Sequence, residues 1–302
     1  MRRVLRRFKP DVLHCHSSKA GGVGRLASLR FFGRRPGIVY SPHSIAANIN
    51  RKYLWLEHSL ARLTDVFVAV SAAERDELAA YGLAPANRIE VARQAIDTEY
   101  FSPRSQQEAR RELGLAAERH VVLGIGRLVP QKDPLLFVDI AARVVKQRPE
   151  VRIVWVGDGE LRPDVEAQME KHGLTAQMSI AGWKQDVRPY VAAADVVVMT
   201  SRYEGISTTA AEALAMDRPV AGTDIAGVAE VVHPDRSGFL FAASDPQAGA
   251  DHVLRLLDDV GLRMRLAATG RAWVSEHCSL SQLGAALERA YRHAHERATG
   301  VA

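Results

Sequence analysis

Hydrophobic positions along the 302-residue chain fall into two alternating rhythms. Short β-branched runs, "DVLHCH" (11–16), "GIVYS" (37–41), "DVFVAV" (65–70) and "RIEVA" (88–92), predict strands. Between them "GGVGRLASLRFF" (21–32), "RKYLWLEHSLARL" (51–63) and "AAERDELAAYGL" (72–83) predict amphipathic helices, the last opened by a Ser71–Glu74 capping box. A second series follows: "HVVLGIG", "VRIVWVG", "MSIAG", "DVVVMT", "PVAGT" and "GFLFA", with helical segments between most of them. Strands alternating with helices predict α/β architecture with doubly wound parallel sheets.

The rhythm breaks once, at "DTEYFSPRSQQEARRELGL" (97–115), which is polar and carries Pro103. This places an amino-terminal domain over 1–97 and a second domain over 98–278, which the length allows. The stretch "SLSQLGAALERAYRHAHERA" (279–298) predicts a terminal helix capped by Ser279 or Ser281, within a segment 279–302 expected to pack back on the first domain. No apolar run approaches a membrane span. Cys15 and Cys278 make no disulfide framework, so a reducing cytoplasm is expected.

The net charge of +5 is unevenly spread: Arg2, Arg3, Arg6, Arg7, Lys9, Lys19, Arg25, Arg30, Arg34 and Arg35 face only Asp11 within the first 35 residues. Two readings stand, a solvated helix face or a surface for anionic lipid or a phosphorylated substrate. No interleaved aromatics or recognised motif support nucleic acid as a partner.

In open parallel sheets, ligands bind beyond the carboxyl ends of the strands, where free amides and helix dipoles suit phosphates. Four such ends carry candidate chemistry. Gly126 is followed by Arg127 and Lys132, two cations suited to a diphosphate. Gly157 opens the turn "GDGEL", and Trp183-Lys184 sets an aromatic beside a cation. The fourth, "SRYEGISTTAAEALA" (201–215), holds Glu204 and Glu212. On one helix these would lie ~80° and ~12 Å apart, too far to share one small group. Gly205 is expected to keep Glu204 in the loop, Ser207 to cap a helix starting nearby, and Glu212 to sit more than a turn inside. The amides of Ile206, Ser207 and Thr208 would then point at a phosphate, Glu204 would hold a sugar and Glu212 a ribose diol. Taken singly, each feature also reads as surface charge, plain turn or core aromatic.

Glu204-x7-Glu212, within "SRYEGISTTAAEALAMDRPVAGTDIAGVAEVV", closely resembles the motif region of retaining glycosyltransferases of family 4. The resemblance extends through "GIGRLVPQKDP", "WVGDGEL" and "AGWKQDVRPYVAAADVVVMTSRYEG", and through "PDVLHCHSSKAG" and "VYSPHS", which are similar to segments of bacterial polysaccharide-assembly members. It implies a GT-B fold, two facing Rossmann-like domains, and transfer of a hexosyl group from a nucleotide-diphosphate sugar with retention. By position it implies Arg127 and Lys132 on the diphosphate, and Glu204 on the donor sugar with Glu212 on the ribose. Amides of Gly205, Ile206 and Ser207 would serve phosphate or sugar, with the Trp183–Lys184 loop by the base. His43 matches a histidine that faces the donor sugar; its other reading is a loop-capping residue after Pro42. No cofactor or metal is expected. "SSKAG" and the basic end point to a glycan or lipid-diphosphate-linked acceptor at an anionic membrane face.

The sequence departs from the family in two ways. Arg93-Gln94-Ala95-Ile96-Asp97 stands where "Pro-Asn-Gly-Val-Asp" is usual. The resemblance also implies that the first domain is incomplete, roughly 70 to 100 residues of βαβ units being expected before the "PDV" strand. That would expose a normally central strand and remove part of the acceptor site. Within the same fold, a sugar-nucleotide epimerase or a non-catalytic nucleotide-sugar-binding module is the alternative. "GGVGRLA" (21–27) fits a dinucleotide fingerprint, but the next strand ends "VYSPHS" without the acid that an NAD site needs. "HCH" invites a metal, but alternation turns Cys15 away from His14 and His16.

Overall fold

The computed structural model describes residues 1–29, 35–43 and 51–300, without the side chain of Arg51. The chain divides into two compact units, Met1–Ala95 with Leu280–Ala302, and Ile96–Ser279.

In the first unit, helix α1 (Arg2–Phe8), strand β1 (Val12–His16), helix α2 (Ser17–Ser28), β2 (Gly37–Ser41), α3 (Arg51–Ala61), β3 (Val66–Ala69), α4 (Ala72–Ala80) and β4 (Ile89–Val91) build a parallel sheet in the order β1-β2-β3-β4. Every residue of β2 and β3 is buried, which their unbroken apolar runs require. On one side Tyr40, Phe67 and Ala69 pack with Leu78 of α4. On the other, Val39, Val66 and Val68 meet Ala286, Ala290 and Ala294 of helix α13 (Leu280–Thr299). That alanine stripe brings α13 so close that a Cβ on Gly37 would strike the Ala294 carbonyl.

Three details differ from the sequence reading. Helix α2 begins at Ser17, four residues before the glycines, with Ser17 at φ 69°. Gly21, Gly22 and Gly24 therefore lie inside a helix, not in a phosphate-binding turn. Gly21 makes room for the Tyr40 ring, Gly24 for Cys15. Residues 30–32 of the expected helix fall outside the described residues. The capping box at Ser71 forms, Ser71 Oγ accepting from Glu74 N, but the reciprocal Glu74 carboxylate accepts from Val70 N, one residue earlier than usual. Ser281 lies inside α13, not at its cap.

The second unit runs α5 (Gln106–Glu112), β5 (Val121–Ile125), α6 (Pro134–Gln147), β6 (Arg152–Val156), α7 (Arg162–Lys171), β7 (Met178–Gly182), α8 (Arg188–Ala193), β8 (Val196–Met199), α9 (Thr208–Ala215), β9 (Val220–Thr223), α10 (Ala226–Ala229), β10 (Gly238–Phe241), α11 (Pro246–Asp258) and α12 (Val260–His277). Its six parallel strands are ordered β10-β9-β8-β5-β6-β7. Chain order reverses at β5, between β8 and β6, so the loops after β5 and β8 bound the crevice where doubly wound sheets bind ligands. Beneath it Trp155, Phe137, Ile140 and Val144 form a core with Val253 and Leu257 of α11.

A buried carboxylate ties the entry of this unit to its central strand. Asp195 Oδ2 accepts from Arg110 Nη2 at 2.6 Å and from the Val121 amide at 2.8 Å, and Arg263 approaches to 3.7 Å. Asp195→Ala strands these cations, and breaking such a pair costs about 3–5 kcal/mol. The expected outcome is a thermal midpoint lowered by roughly 10 °C in a calorimetric scan.

Candidate functional site

Two loops converge at the switch point. After β5, Gly126 leads through Arg127 and Gln131 to Lys132 and to Asp133, which caps α6 from a left-handed backbone (φ 42°). After β8, residues 200–207 lead into α9, and Ser207 Oγ caps it by accepting from Ala210 N at 3.3 Å. The loops are stitched together. Thr200 Oγ1 donates to the Lys132 carbonyl at 2.9 Å, and the Arg202 amide donates to the Gln131 carbonyl at 2.8 Å. Gln131 Nε2 donates to the Tyr203 carbonyl at 3.2 Å, and Arg202 Nε to Asp133 Oδ2 at 2.7 Å.

Across this seam Lys132 and Glu204 form an ion pair, their side chains 17% and 11% exposed. Ser201 Oγ donates to the same Glu204 oxygen at 2.8 Å, and the Ser201 carbonyl accepts from Thr223 Oγ1 at 2.6 Å. Behind the loop, a Cβ on Gly227 would strike Glu204 itself. Glu204 is thus pinned on three sides, with one mostly buried ammonium as counter-charge.

Glycines make the floor. Gly126 has φ 157°, and a Cβ there would press the Lys132 stem at 3.1 Å. Gly157, at φ 135°, stacks so closely that a Cβ would strike the Gly126 carbonyl, which also accepts from Trp155 Nε1 at 3.0 Å. The Gly126 amide donates to Val156 O and that of Gly157 to Gly182 O.

Glu212 sits on the second turn of α9 among buried alanines. Burial pushes its carboxyl up to about 7, with the Lys132 ammonium pulling the other way. The structure thus brings Gly126, Lys132, Gly157 and Glu204 together, with Glu212 near enough to feel the same ammonium. Arg127 is exposed, with Nη2 3.5 Å from Gln131 Oε1. Trp183, 73% exposed, and Lys184 follow β7, two strands from β5. Among the described residues no hydrogen bond or ion pair joins either to the Lys132–Glu204 cluster.

One expectation needs correction. The Ser207 amide does not point free at a ligand: it donates to the Gly227 carbonyl at 2.7 Å. Among the described residues the amides of Gly205, Ile206 and Thr208 have no such acceptor. Ser201, Gln131 and Gly227 were missed by the sequence reading. Ser201 and Gln131 lie inside the motifs that drew notice, but Gln131 meets Tyr203 and Ser201 is anchored by Thr223, both distant in sequence.

In the first unit, His43 has φ 67° and is the last residue described before 51. Its Nε2 lies 2.9 Å from His16 Nδ1, and burial and His16 hold its pKa below the ordinary value. The His14 ring lies tilted against His16 with ring centres 4.0 Å apart, and contacts Ser41 Oγ at 2.8 Å and Tyr291 Oη at 3.0 Å. Burial first, then His16 and His43, lower its pKa to about 4. Among the described residues no group of His, Cys, Asp or Glu is arranged to hold a metal ion.

A cation paired with a loop carboxylate, over a glycine floor, thus stands at the switch point of the sheet, where doubly wound folds bind ligands. The family described as "Glycosyltransferase Family 4" matches residues 1–100, and "Glycosyl transferases group 1" matches 119–259. A UDP-Gal:α-D-GlcNAc-diphosphoundecaprenol α-1,3-galactosyltransferase of Escherichia coli is 29% identical over 85% of this chain and 69% of its own length. A GDP-mannose-dependent α-mannosyltransferase of Mycobacterium tuberculosis is 29% identical over 90% of this chain and 72% of its own length. The crystal structure of Anabaena HepE in complex with UDP-glucose superposes with a TM-score of 0.86 at 24% identity, over 95% of this chain and 80% of that one. Glycosyltransferase models thus match both units, the units have the parallel-sheet architecture of the GT-B class, and the chain is a glycosyltransferase.

Glu212 gives the site a pH signature. Its folded pKa is raised, so between the ordinary carboxylate value and about 7 the folded state binds more protons than the unfolded chain. Stability from this group is therefore full at low pH and declines as pH rises through about 7. Glu212→Gln removes the titration. Thermal melts should show wild type losing a few degrees relative to the variant between pH 5 and pH 8.

Proposed function

We propose that this chain moves a hexosyl group, with retention at the anomeric carbon, from a nucleoside-diphosphate sugar to a glycan or lipid-diphosphate-linked acceptor. The observation that carries the reading is the Lys132–Glu204 pair at the β5/β8 switch point. A departing diphosphate gains charge as the glycosidic bond breaks, and a fixed, poorly hydrated cation stabilises that charge. Lys132 supplies it and Arg127 adds a second, so the reading assigns no metal or other cofactor. Glu204 accepts from the sugar hydroxyls and Glu212 from the ribose diol. Gly205, Ile206 and Thr208 offer amides, while Ser207 serves as helix cap. Trp183 and Lys184 are assigned to the base, and His43 to the transferred sugar. Retention is assigned to front-face attack within an ion pair, which depends on leaving-group stabilisation and not on a covalent carboxylate nucleophile.

The diphosphate-linked acceptor is supported by the name of the Escherichia coli relative, which specifies a diphosphoundecaprenol carrier. It is supported also by the surface of α1 and α2. Val4 and Phe8 are exposed, as are Val23, Leu26 and Leu29, and α1 carries Arg2, Arg3, Arg6 and Arg7. Apolar side chains ringed by arginines suit an anionic bilayer at the cytoplasmic face, each cation near the surface contributing about 1 kcal/mol. No helix among the described residues is long and apolar enough to cross a membrane. Co-sedimentation with phosphatidylglycerol vesicles should exceed that with phosphatidylcholine, and replacing the four arginines of α1 by Glu should lower it at least about ten-fold.

The donor reading is tested by thermal shift with UDP, GDP, ADP, their common sugar conjugates and NAD. A ligand at 100 times its dissociation constant adds ~2.7 kcal/mol, a shift of several degrees. One nucleotide series should stabilise wild type and lose its effect on Glu212→Ala. Stabilisation by NAD alone, or equal stabilisation of the variant, refutes the reading.

A further inference from the structure

We infer that Glu204, paired with Lys132, makes the site favour the nucleotide sugar over the nucleoside diphosphate left after transfer. The inference rests on the donor-site reading and deepens it.

Lys132 is paired within the protein itself, its ammonium on Glu204 Oε1. Any phosphate that reaches for this cation therefore comes up against a carboxylate as well. Glu204 has little freedom to withdraw. Ser201 Oγ holds the same oxygen, Ser201 is itself buried and anchored by Thr223, and Gly227 packs against the backbone and Cβ of Glu204 from behind.

The two ligands differ in what they offer that carboxylate. In a nucleotide sugar the terminal phosphate is bound both to its neighbour by an anhydride and to the sugar by an ester, with a single negative charge, and the sugar carries hydroxyl donors that a carboxylate accepts. In the free nucleoside diphosphate the same phosphate is bound only through the anhydride oxygen and has a second ionisation near pH ~6, so at neutral pH it carries about one more negative charge. It also lacks the hydroxyls of the transferred sugar. The carboxylate therefore meets a donor in the substrate and a like charge in the product. In a mostly buried setting that contrast is weakly screened. Lys132 draws both ligands, Glu204 discriminates between them, and Ser201 is a positioning residue for Glu204.

The test is calorimetric titration of the full chain with UDP, UDP-glucose, GDP and GDP-mannose at neutral pH. Wild type, Glu204→Gln, Lys132→Met and the double variant are compared. Glu204→Gln is expected to tighten the nucleoside diphosphate about ten-fold while the matching nucleotide sugar gains less than about two-fold, collapsing the preference. Lys132→Met should weaken both ligands, and on that background Glu204→Gln should still narrow the preference, because the carboxylate faces the ligand directly. A Glu204→Gln preference within about two-fold of wild type overturns the inference. Failure of wild type to bind any of the four ligands instead overturns the donor-site reading on which it rests.

Discussion

The close approach of backbones at the carboxyl ends of β5 and β6 is the constraint from which the site follows. The Gly157 chain lies directly against the Gly126 carbonyl, and the Lys132 stem runs over Gly126. Gly157 has no room for a Cβ, one on Gly126 would crowd the Lys132 stem, and both backbones hold positive φ values that L side chains rarely adopt. Because the floor is bare backbone, Lys132 can fold back over it to reach a carboxylate on the loop after β8. A side chain at Gly157 would force the two backbones apart, and one at Gly126 would press on the lysine stem. The hydrogen bonds from Thr200, Arg202 and Gln131 close the seam that this approach opens.

The architecture was legible because its causes are local. Unbroken apolar runs such as "DVVVMT" have one economical fate, a strand buried on both faces, and amphipathic stretches between them cover those faces. The start of α2 was not legible for the same reason: "HSSKAG" has no apolar periodicity, and a serine at φ 69° turns the chain into a helix four residues early. Its glycines looked like a phosphate turn because spacing records which residues lack a side chain, not why. Here they lack one because Tyr40 and Cys15 need the space.

At the site, single members were visible and their pairings were not. Lys132 and Glu204 stood out as a cation and a carboxylate at strand ends, but 72 positions separate them and only the strand order brings them together. Ser201, three residues before Glu204, reads as an ordinary loop serine until its hydroxyl is seen on that carboxylate. The Ser207 amide is the instructive case. Helix-start logic gives it to a ligand, whereas the turn at Gly227 takes it first.

That loss redistributes the electrostatic work of the site. A helix start binds anions through its first amides and the end of its dipole, each a partial charge acting within a turn. With Ser207 engaged in tying α9 to the Gly227 turn, the backbone contribution shrinks to neighbouring amides, and the main neutralising charge is the Lys132 ammonium. One full charge outweighs the partial charge that any single amide offers. The two glutamates divide along the same line. Glu204 stands in the loop and holds the cation directly, whereas Glu212 is set into the helix, where burial raises its pKa and the same ammonium only partly offsets it. Eight residues apart and on opposite sides of a helix start, they sense one lysine from two directions, so a ligand that draws Lys132 toward itself alters the electrostatic balance at both.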